Sequence, residues 1–324
     1  MSLTLTMALD RYDRHFPFFD GTVVTPPGTS LRVLQVGQTV SLRDGERRHE
    51  RMLTSDEYDV CEFSLSSYLM AKDRGLPLTG IPIFPRRLFS PGLFYVREDS
   101  TISSPQDLIG RRVGLNSFQT TLSVLARGDL KNEYGVPWEK IVWCVTNPEK
   151  IAFKPKPGVT IETLPQGADL GEALEAGTVD AFVHPHPPHS VTSGRVRVRR
   201  LWPDVRGEEL RYYKKNGYVP IMHVIALRSP FVQKNPQIAR TLMNLFEQAN
   251  KISSGYFDDP NWSRMIWARH SFEEQAHVFG NPWPIGLKAN ANNLRRFIEY
   301  SLDQQLISKA LAVEDLFDPS VLDS

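Results

Sequence analysis

The sequence has few cysteines, no long apolar run and almost no net charge. Its two cysteines, Cys61 and Cys144, lie in apolar stretches, which predicts buried thiols in a reducing compartment, and a single disulfide is the alternative. No run approaches the roughly 18 apolar residues of a membrane span. The 38 basic and 37 acidic residues leave a net charge of +1. Neither nucleic acid nor an anionic membrane is therefore expected as a partner.

Several motifs with well-defined chemistry are also missing. The chain has no CxxC or HExxH metal motif and no convincing glycine-rich phosphate loop or nucleophile elbow. The apolar stretch in the opening MSLTLTMALDRYDR is too short for a signal peptide, lacks a basic leader and instead predicts a first β-strand. A chain that starts in this way is expected to be cytoplasmic, unless a leader has been removed.

Strand and helix patterns alternate along the chain. Runs of β-branched and aromatic residues bounded by turn residues predict strands, and apolar residues three and four apart predict helices. Such alternation predicts an α/β protein with largely parallel sheets. The predicted strands are 3–9, 31–36, 58–63, 78–84, 93–97, 112–115, 140–145, 179–184 and 218–227, and the predicted helices are 45–54, 64–74, 105–109, 119–132, 169–176, 230–253, 261–279 and 289–305.

The length and two long strands predict two lobes. At roughly 150 residues per domain, 324 residues correspond to about two domains. Long strands near 92–97 and 218–228 enclose a compact α/β block. We therefore expect lobe 1 to comprise 1–93 plus 228–324 and the inserted lobe 2 to comprise 94–227. This organisation is a two-lobed clamshell, in which the ligand cleft lies between the lobes.

Five segments carry a resemblance to a known family. They are YDVCEFSLSSYLMAKDRG, IPIFPRRLF, SPQDLIGRRVGLNSFQTTLSVLARGDLKNEYGV, GTVDAFV and VPIMHVIALR. Through them the chain resembles the 4,5-dihydroxyphthalate decarboxylase family over nearly its whole length. The resemblance implies a fold of the type II periplasmic-binding-protein kind, a cytoplasmic enzyme and a small aromatic carboxylate as the substrate.

The segment FSLSSY places three serines where a strand passes into a helix. Ser64, Ser66 and Ser67 would add hydroxyl groups to the free N–H groups of the helix start, which is a favourable place for a carboxylate. Ordinary capping of the helix is the alternative, although capping needs only one serine.

The segment NSFQTTLSVLARG repeats this pattern after another strand. Thr120 and Thr121 open the predicted helix, and Arg127 follows about two turns later. The two helix starts could face one cleft and bind a dicarboxylate, with Arg127 as a bidentate partner. The alternatives are plain helix caps and an arginine on a solvated face.

Two further loops combine arginine with aromatic residues. In RYDRHF, Tyr12 could stack on a ligand ring and Arg14 could pair with a carboxylate, and a solvated turn is the alternative. In PIFPRR, Phe84 lies beside Arg86 and Arg87, which suits an aryl carboxylate. One of these two arginines is expected to lie on the surface only.

Histidines supply the candidate acid–base groups. In HPHPPH, His184 and His186 share one face of an extended segment. His223 interrupts an apolar strand, where it is either a catalytic group facing the cleft or a buried structural residue. Together with Glu62, the three histidines could alternatively hold a divalent metal ion. Acid–base use is favoured over metal binding, and loop packing is the third alternative for HPHPPH.

These observations predict a non-oxidative decarboxylase of a hydroxylated aromatic dicarboxylate. The best interpretation is conversion of 4,5-dihydroxyphthalate to protocatechuate and carbon dioxide, with His223, His184 and His186 as proton-transfer candidates and no organic cofactor. The candidate pocket walls are Phe16, Phe84 and Phe118. The alternatives are a solute-binding protein of an ABC-type transporter and a related biosynthetic enzyme of the same fold. A homo-oligomer is left open.

Overall fold

The computed structural model describes residues 3–324, which form two compact units. Unit 1 comprises the chain up to Arg86, Ile221–Asn292 and Leu311–Ser324, and unit 2 comprises Arg87–Pro220 and Asn293–Ala310. The strands are β1 (Leu3–Leu9), β2 (Thr29–Gln35), β3 (Val60–Ser64), β4 (Leu78–Ile81), β5 (Phe94–Arg97), β6 (Arg112–Leu115), β7 (Val142–Val145), β8 (Thr160–Thr163), β9 (Ala181–Val183), β10 (Val198–Arg200) and β11 (His223–Arg228).

The helices surround these strands. The α-helices are α1 (Phe16–Phe19), α2 (Arg48–Thr54), α3 (Leu65–Asp73), α4 (Thr121–Tyr134), α5 (Leu170–Glu175), α6 (His189–Thr192), α7 (Val205–Asn216), α8 (Ser229–Lys234), α9 (Ile238–Gly255), α10 (Ala268–Phe279) and α11 (Ala291–Asp303). The 3-10 helices are Asp13–His15, Pro91–Leu93, Pro105–Leu108, Trp138–Lys140, Tyr256–Asp258, Glu314–Leu316 and Pro319–Val321. No helix of the described residues is long and apolar enough to cross a membrane.

Unit 1 contains a five-stranded mixed sheet in the order β2-β1-β3-β11-β4. β1 pairs in parallel with β2 and β3, whereas β11 runs antiparallel to β3 and β4. Apolar residues of β1 and β11 pack with helix α9 in a core that includes Leu5, Met7, Ile225, Leu242 and Phe246. This core fixes the strands whose ends carry the candidate site.

Unit 2 contains a six-stranded sheet in the order β10-β5-β9-β6-β7-β8. Strands β9, β6, β7 and β8 are parallel, and β5 runs antiparallel to both of its neighbours, β9 and β10. The ring of Tyr95 stacks on Phe182 at 4.8 Å, over a core that includes Cys144, Leu170 and Leu174. The predicted α/β architecture is confirmed in both units.

Some elements differ from the predictions. The helix expected over 230–253 is divided into α8 and α9, because Pro236 disfavours a helical conformation of the residue before it. The segment expected as a helix at 105–109 is a 3-10 turn. Helix α7 was not predicted, since it is strongly polar and buries Tyr212 alone.

The unit boundaries also differ from those expected. The structure divides the chain after Arg86 and Pro220, rather than after residues 93 and 227. β11 belongs to unit 1 because it pairs with β3 and β4. Most of α11 belongs to unit 2, where the Tyr300 hydroxyl donates a hydrogen bond to Asp129 of α4 at 3.1 Å.

Helices α4 and α11 approach so closely that Gly128 has no room for a methyl group. An added Cβ would overlap the ring of Tyr300. We expect Gly128→Ala to lower the free energy of unfolding by about 1–3 kcal/mol, the usual cost of overpacking a core. This loss would occur although alanine favours a helix by about 1 kcal/mol over glycine.

Chemical denaturation measures this difference. Gly255→Ala is the matched control, because its added Cβ would lie 4.0 Å from the side chain of Asp258, an ordinary van der Waals distance. Equal stability of Gly128→Ala and the unmodified protein would contradict the close packing of α4 on α11.

Candidate functional site

The carboxyl end of the unit 1 sheet brings together several of the predicted residues. The parallel strands β1 and β3 end at Leu9 and Ser64, so the segments that follow leave the sheet at the same edge. β11 begins at this edge, and its first residue, His223, pairs with Ser64. Ligands of open α/β sheets bind outside such strand ends, which makes this edge the candidate site of unit 1.

Glu62 is a fully buried carboxylate at this edge. Its Oε2 accepts a hydrogen bond from the backbone N–H of Asp10 at 2.9 Å and lies 3.4 Å from Nη2 of Arg48. Its Oε1 lies 2.5 Å from Nδ1 of His223. Burial raises the pKa of Glu62, but the charge of Arg48 and the hydrogen bond from His223 outweigh it and hold that pKa well below its usual value. Glu62 is therefore ionised.

Arg48 is the buried cation that faces Glu62. Its Nε donates to the backbone carbonyl of Glu62 at 2.8 Å, and Nη1 donates to the carboxylate of Asp10 at 3.2 Å and to the backbone carbonyl of Val36. Burial lowers the pKa of Arg48, but the charges of Glu62 and Asp10 prevail and raise it. The pair thus keeps both charges in the interior, where removal of one partner typically costs about 3–5 kcal/mol.

His223 is a nearly buried imidazole whose tautomer is determined by Glu62. A carboxylate can only accept, so Nδ1 donates, and the neutral ring carries its lone pair on Nε2. Burial lowers the pKa of His223 to about 4, although Glu62 opposes this change. The ring of His49 packs edge-on against that of His223, with 4.9 Å between the ring centroids. Burial thus favours the neutral form of His223.

The loop after β1 adds two more buried polar groups. The imidazole of His15 donates through Nδ1 to the backbone carbonyl of Asp10 at 2.9 Å, and burial lowers its pKa to about 4. Neither Nε2 of His15 nor the hydroxyl of Tyr12 has a hydrogen-bond partner within residues 3–324, although both atoms are buried. Burial also raises the pKa of Tyr12, which stays protonated. A ligand or water could satisfy both groups.

The three serines of the segment FSLSSY are all buried at the start of α3. The hydroxyl of Ser64 accepts from the backbone N–H of Ser67 at 3.5 Å and caps the helix. Capping, the alternative considered above, is therefore part of the role of Ser64. Carboxylate binding by Ser66 and Ser67 stays a prediction.

The three predicted residues of the segment after β4 make different contacts. Phe84 is buried and packs edge-on against Phe317, with 6.1 Å between the ring centroids. The backbone carbonyl of Arg86 accepts from the N–H of Met222 at 2.8 Å, which ties this segment to the start of β11. Arg87 belongs to unit 2 and donates from Nη1 to the backbone carbonyl of Val219 at 3.0 Å.

In unit 2, the chain itself supplies an anion just before helix α4. The backbone N–H groups of Phe118 and Gln119 donate to the carboxylate of Glu149 at 2.6 and 3.0 Å. The hydroxyl of Thr120 forms a hydrogen bond with the hydroxyl of Ser123, one turn further along α4, at 2.6 Å. These donors are therefore engaged internally. Binding of a substrate carboxylate by Thr120 and Thr121 stays a prediction.

Arg127 lies in the interior of unit 2 rather than on a solvated face. It is fully buried, its guanidinium carbon lies 3.5 Å from the ring centroid of Phe118, and Nη2 donates to the backbone carbonyl of that residue at 2.5 Å. Its Nε donates to the side chain of Gln304 at 2.8 Å. Burial holds the pKa of Arg127 well below its usual value. These contacts join α4 to the segment after α11 and differ from the predicted carboxylate pairing.

His184 and His186 follow β9 in unit 2. Nδ1 of His184 lies within hydrogen-bond distance of both the backbone carbonyl and the N–H of His186. Depending on its tautomer, it donates to the first or accepts from the second, and either bond closes a local turn. Among residues 3–324, no three His, Cys, Asp or Glu side chains are grouped as a metal site requires. Glu62 and His223 are paired with each other in unit 1, and a metal site that includes the histidines of HPHPPH stays a prediction.

Sequence reasoning missed four residues of the unit 1 site. Arg48 and His49 lie in the polar run RDGERRHER, which is typical of a solvated surface. His15 follows a charged turn. Trp283, whose ring centroid lies 4.3 Å from the guanidinium carbon of Arg14, is in a proline-rich segment more than 200 residues further along the chain. The sequence pointed to Arg48 only indirectly, because Glu62 lies in a strand predicted to be buried and a buried carboxylate needs a cation nearby.

Two relatives align with most or all of the chain. The 4,5-dihydroxyphthalate decarboxylase of Comamonas testosteroni is 30% identical over 332 aligned residues, covering 99% of this chain and 98% of that protein. The protein of that name from Pseudomonas putida is 31% identical over 223 residues, covering 67% of this chain and 83% of that protein. The chain belongs to the 4,5-dihydroxyphthalate decarboxylase family. A family model described as NMT1/THI5 like also matches residues 39–142.

The fold of this 4,5-dihydroxyphthalate decarboxylase family member is shared with periplasmic binding proteins. The periplasmic aliphatic sulphonate binding protein SsuA from Escherichia coli has a TM-score of 0.60 and 13% sequence identity, with 100% of each chain covered. At this identity the likeness concerns the fold alone. The family and the fold class predicted from the sequence are both confirmed.

The buried histidines of unit 1 should make stability sensitive to acid. Because the pKa of His15 falls from about 6.5 in the unfolded chain to about 4 in the folded one, the unfolded chain binds more protons between these values. The contribution of neutral His15 to the free energy of unfolding is fully present above about pH 6.5 and is lost as the pH falls towards 4. We expect His15→Phe to lose less stability between pH 7 and pH 5 than the unmodified protein loses.

Denaturant midpoints at the two pH values measure this difference. His270→Gln, a change at an exposed histidine of α10, is the control and should behave like the unmodified protein. An unchanged acid sensitivity of His15→Phe would show that His15 is not buried as a neutral ring.

Proposed function

We propose that this protein is a non-oxidative decarboxylase of a hydroxylated aromatic dicarboxylate, converting 4,5-dihydroxyphthalate to protocatechuate and carbon dioxide. The observation that carries this proposal is the alignment of 99% of the chain with a protein named 4,5-dihydroxyphthalate decarboxylase. The buried Glu62–His223 pair supports it, because this reaction needs a proton-transfer group held in a partly desolvated site.

The stoichiometry defines what the site must supply. Each turnover replaces a carboxylate on the ring with a hydrogen, so one proton is consumed for each carbon dioxide released. The proton adds to the ring carbon that carries the leaving carboxylate, and the hydroxyl para to that carbon supports the resulting positive charge. Loss of carbon dioxide then restores aromaticity. The ring itself accepts the electrons of the broken bond, so no organic cofactor is required.

His223 is the proposed carrier of this proton. In the unliganded site its Nε2 holds a lone pair and can take up a proton. A substrate with two carboxylates brings negative charge close to the ring, which raises the pKa of His223 above its value of about 4. Glu62 stabilises the imidazolium that forms, and Nε2 then donates to the ring carbon. After carbon dioxide leaves, His223 is neutral again, with Nδ1 still bonded to Glu62.

The remaining predicted residues are proposed to bind the substrate or to assist the reaction. Tyr12 presents a buried hydroxyl without a partner among the residues that the structure describes, and Arg14 supplies a cation on the same loop. The others, which stay proposals, are Ser64, Ser66, Ser67, Phe84, Arg86, Arg87, Thr120, Thr121, Arg127, His184 and His186. A cytoplasmic location is proposed as well, and cell fractionation would test it.

The second candidate function is that of a solute-binding protein. The fold shared with a sulphonate binding protein favours it. Binding of a solute needs no proton-transfer group. Such a protein would bind an aromatic acid without changing it. Release of carbon dioxide therefore separates the two functions.

The direct test is incubation of the purified protein with hydroxyphthalates while carbon dioxide and aromatic products are measured. We expect 4,5-dihydroxyphthalate to yield protocatechuate. His223→Asn keeps a hydrogen-bonding side chain but cannot carry the proton, so turnover should fall by roughly 100-fold or more while substrate affinity stays similar. Tight binding without carbon dioxide release would favour the solute-binding function.

His270→Asn, at an exposed histidine, is the matched control, and the turnover of this variant should equal that of the unmodified protein. If His223→Asn stays active while His184→Asn or His186→Asn is inactive, the proton-transfer role moves to the segment after β9.

Activity is expected to survive removal of divalent metal ions. We propose that the histidines act as acid–base groups rather than as ligands, so dialysis against a chelator should leave most of the turnover intact. Metal analysis accompanies the assay. About one equivalent of metal, with activity that is lost on chelation and restored by one divalent ion, would overturn this proposal.

A further inference from the structure

Arg14 contacts two aromatic rings in unit 1. Its guanidinium carbon lies 4.2 Å from the ring centroid of Tyr12 and 4.3 Å from that of Trp283. Both distances are within the range of cation–π contacts, and two such contacts restrict the orientations open to the guanidinium. Tyr12 precedes Arg14 in the loop after β1, whereas Trp283 arrives from the segment between α10 and α11.

Hydrogen bonds engage only part of the guanidinium. Nε donates to the backbone carbonyl of Pro85 at 2.5 Å, and Nη1 donates to Asp13 at 3.2 Å. Within residues 3–324, no group accepts a hydrogen bond from Nη2 of Arg14. The side chain is only 18% exposed, so this donor belongs to a mostly desolvated cation.

Arg14 also lies next to the segment that bonds to His223. The carbonyl of Pro85, which accepts from Arg14, directly precedes Arg86, whose carbonyl accepts from the backbone N–H of His223 at 3.3 Å. Burial lowers the pKa of Arg14, and the nearby charges of Asp13 and Glu62 oppose that change. Glu62 is the carboxylate that bonds to His223. An anion that reaches Nη2 would restore the interactions that the guanidinium loses on burial, in a charge-assisted hydrogen bond.

The chemistry of decarboxylation decides which carboxylate Arg14 can usefully bind. The leaving carboxylate loses its negative charge as carbon dioxide forms, so an ion pair with it would stabilise the ground state more than the transition state and slow the reaction. The carboxylate that the product keeps is charged throughout. An ion pair with that group contributes binding and orientation without opposing the bond cleavage.

We propose that Arg14 binds the carboxylate that the product retains, and that Trp283 is the positioning residue that holds the guanidinium plane for it. This inference rests on the proposed function, and it adds the role of Trp283 and the choice of carboxylate. Because both ring contacts are already present in this structure, little freedom of Arg14 is lost on binding.

A double-mutant cycle tests whether Trp283 acts through Arg14. The variants are Arg14→Ala, Trp283→Leu and the double variant, and calorimetry measures their affinities for phthalate, which has two carboxylates, and for catechol, which has none. We expect phthalate binding to weaken about 10-fold or more in Arg14→Ala and about 3- to 10-fold in Trp283→Leu. The double variant should bind phthalate no more weakly than Arg14→Ala, and catechol affinity should not change.

Turnover supplies an independent readout of positioning. For 4,5-dihydroxyphthalate, Trp283→Leu should raise KM while kcat stays within about 2-fold, since an interaction of equal strength in both states affects binding only. Trp262→Leu is the matched control, because this partly exposed tryptophan of unit 1 packs against Phe16 and Tyr256 instead of Arg14. Thermal melts of each variant report whether unit 1 stays folded.

The outcomes separate this inference from the proposed function. Independent, additive losses of phthalate affinity would overturn the role of Trp283, and an equal loss of catechol affinity would do the same. If the unmodified protein releases carbon dioxide but Arg14→Ala binds phthalate normally, the carboxylate assignment fails and the proposed function stands. If the cycle is as expected but no carbon dioxide forms, Arg14 is a carboxylate anchor in a binding protein and the decarboxylase proposal fails.

Discussion

The buried negative charge of Glu62 is the constraint on which the unit 1 site depends. An ionised carboxylate in the interior is stable only when it is paired and hydrogen-bonded. Here the cation comes from Arg48, one hydrogen bond comes from the backbone of Asp10, and the other comes from His223. The last of these sets the tautomer of the imidazole, so the requirement to compensate one charge also directs the Nε2 lone pair away from Glu62.

Unit 2 uses its buried charges differently. Arg127 bonds to Phe118 and Gln304, and the carboxylate of Asp129 accepts hydrogen bonds from Ser90 at 2.6 Å and from Tyr300 at 3.1 Å. Burial raises the pKa of Asp129 to about 7, against the effect of these two donors. These groups tie α4 to its neighbours within the unit.

The fold shared with a sulphonate binding protein does not by itself distinguish catalysis from transport. A two-unit α/β scaffold offers strand ends and helix starts that bind small anions, and this property serves transport and catalysis equally well. An imidazole that can gain and lose a proton beside a buried carboxylate is useful to a decarboxylase and dispensable for a receptor. Likewise, a residue that only binds the substrate, as proposed for Arg14, differs from a group that takes part in bond cleavage.

The sequence by itself determined the fold class, most strands and helices, and the family, because these depend on apolar periodicity and on local segments such as DVCEFSLSSY and VPIMH. It also singled out Tyr12, Arg14, Glu62 and His223. Only the tertiary structure decided their partners. Arg48 looked like one charge in a solvated run, and Trp283 had no local signal, yet these residues pair with Glu62 and Arg14. Such pairings join segments that are far apart in the chain, so no periodicity or spacing in the sequence encodes them.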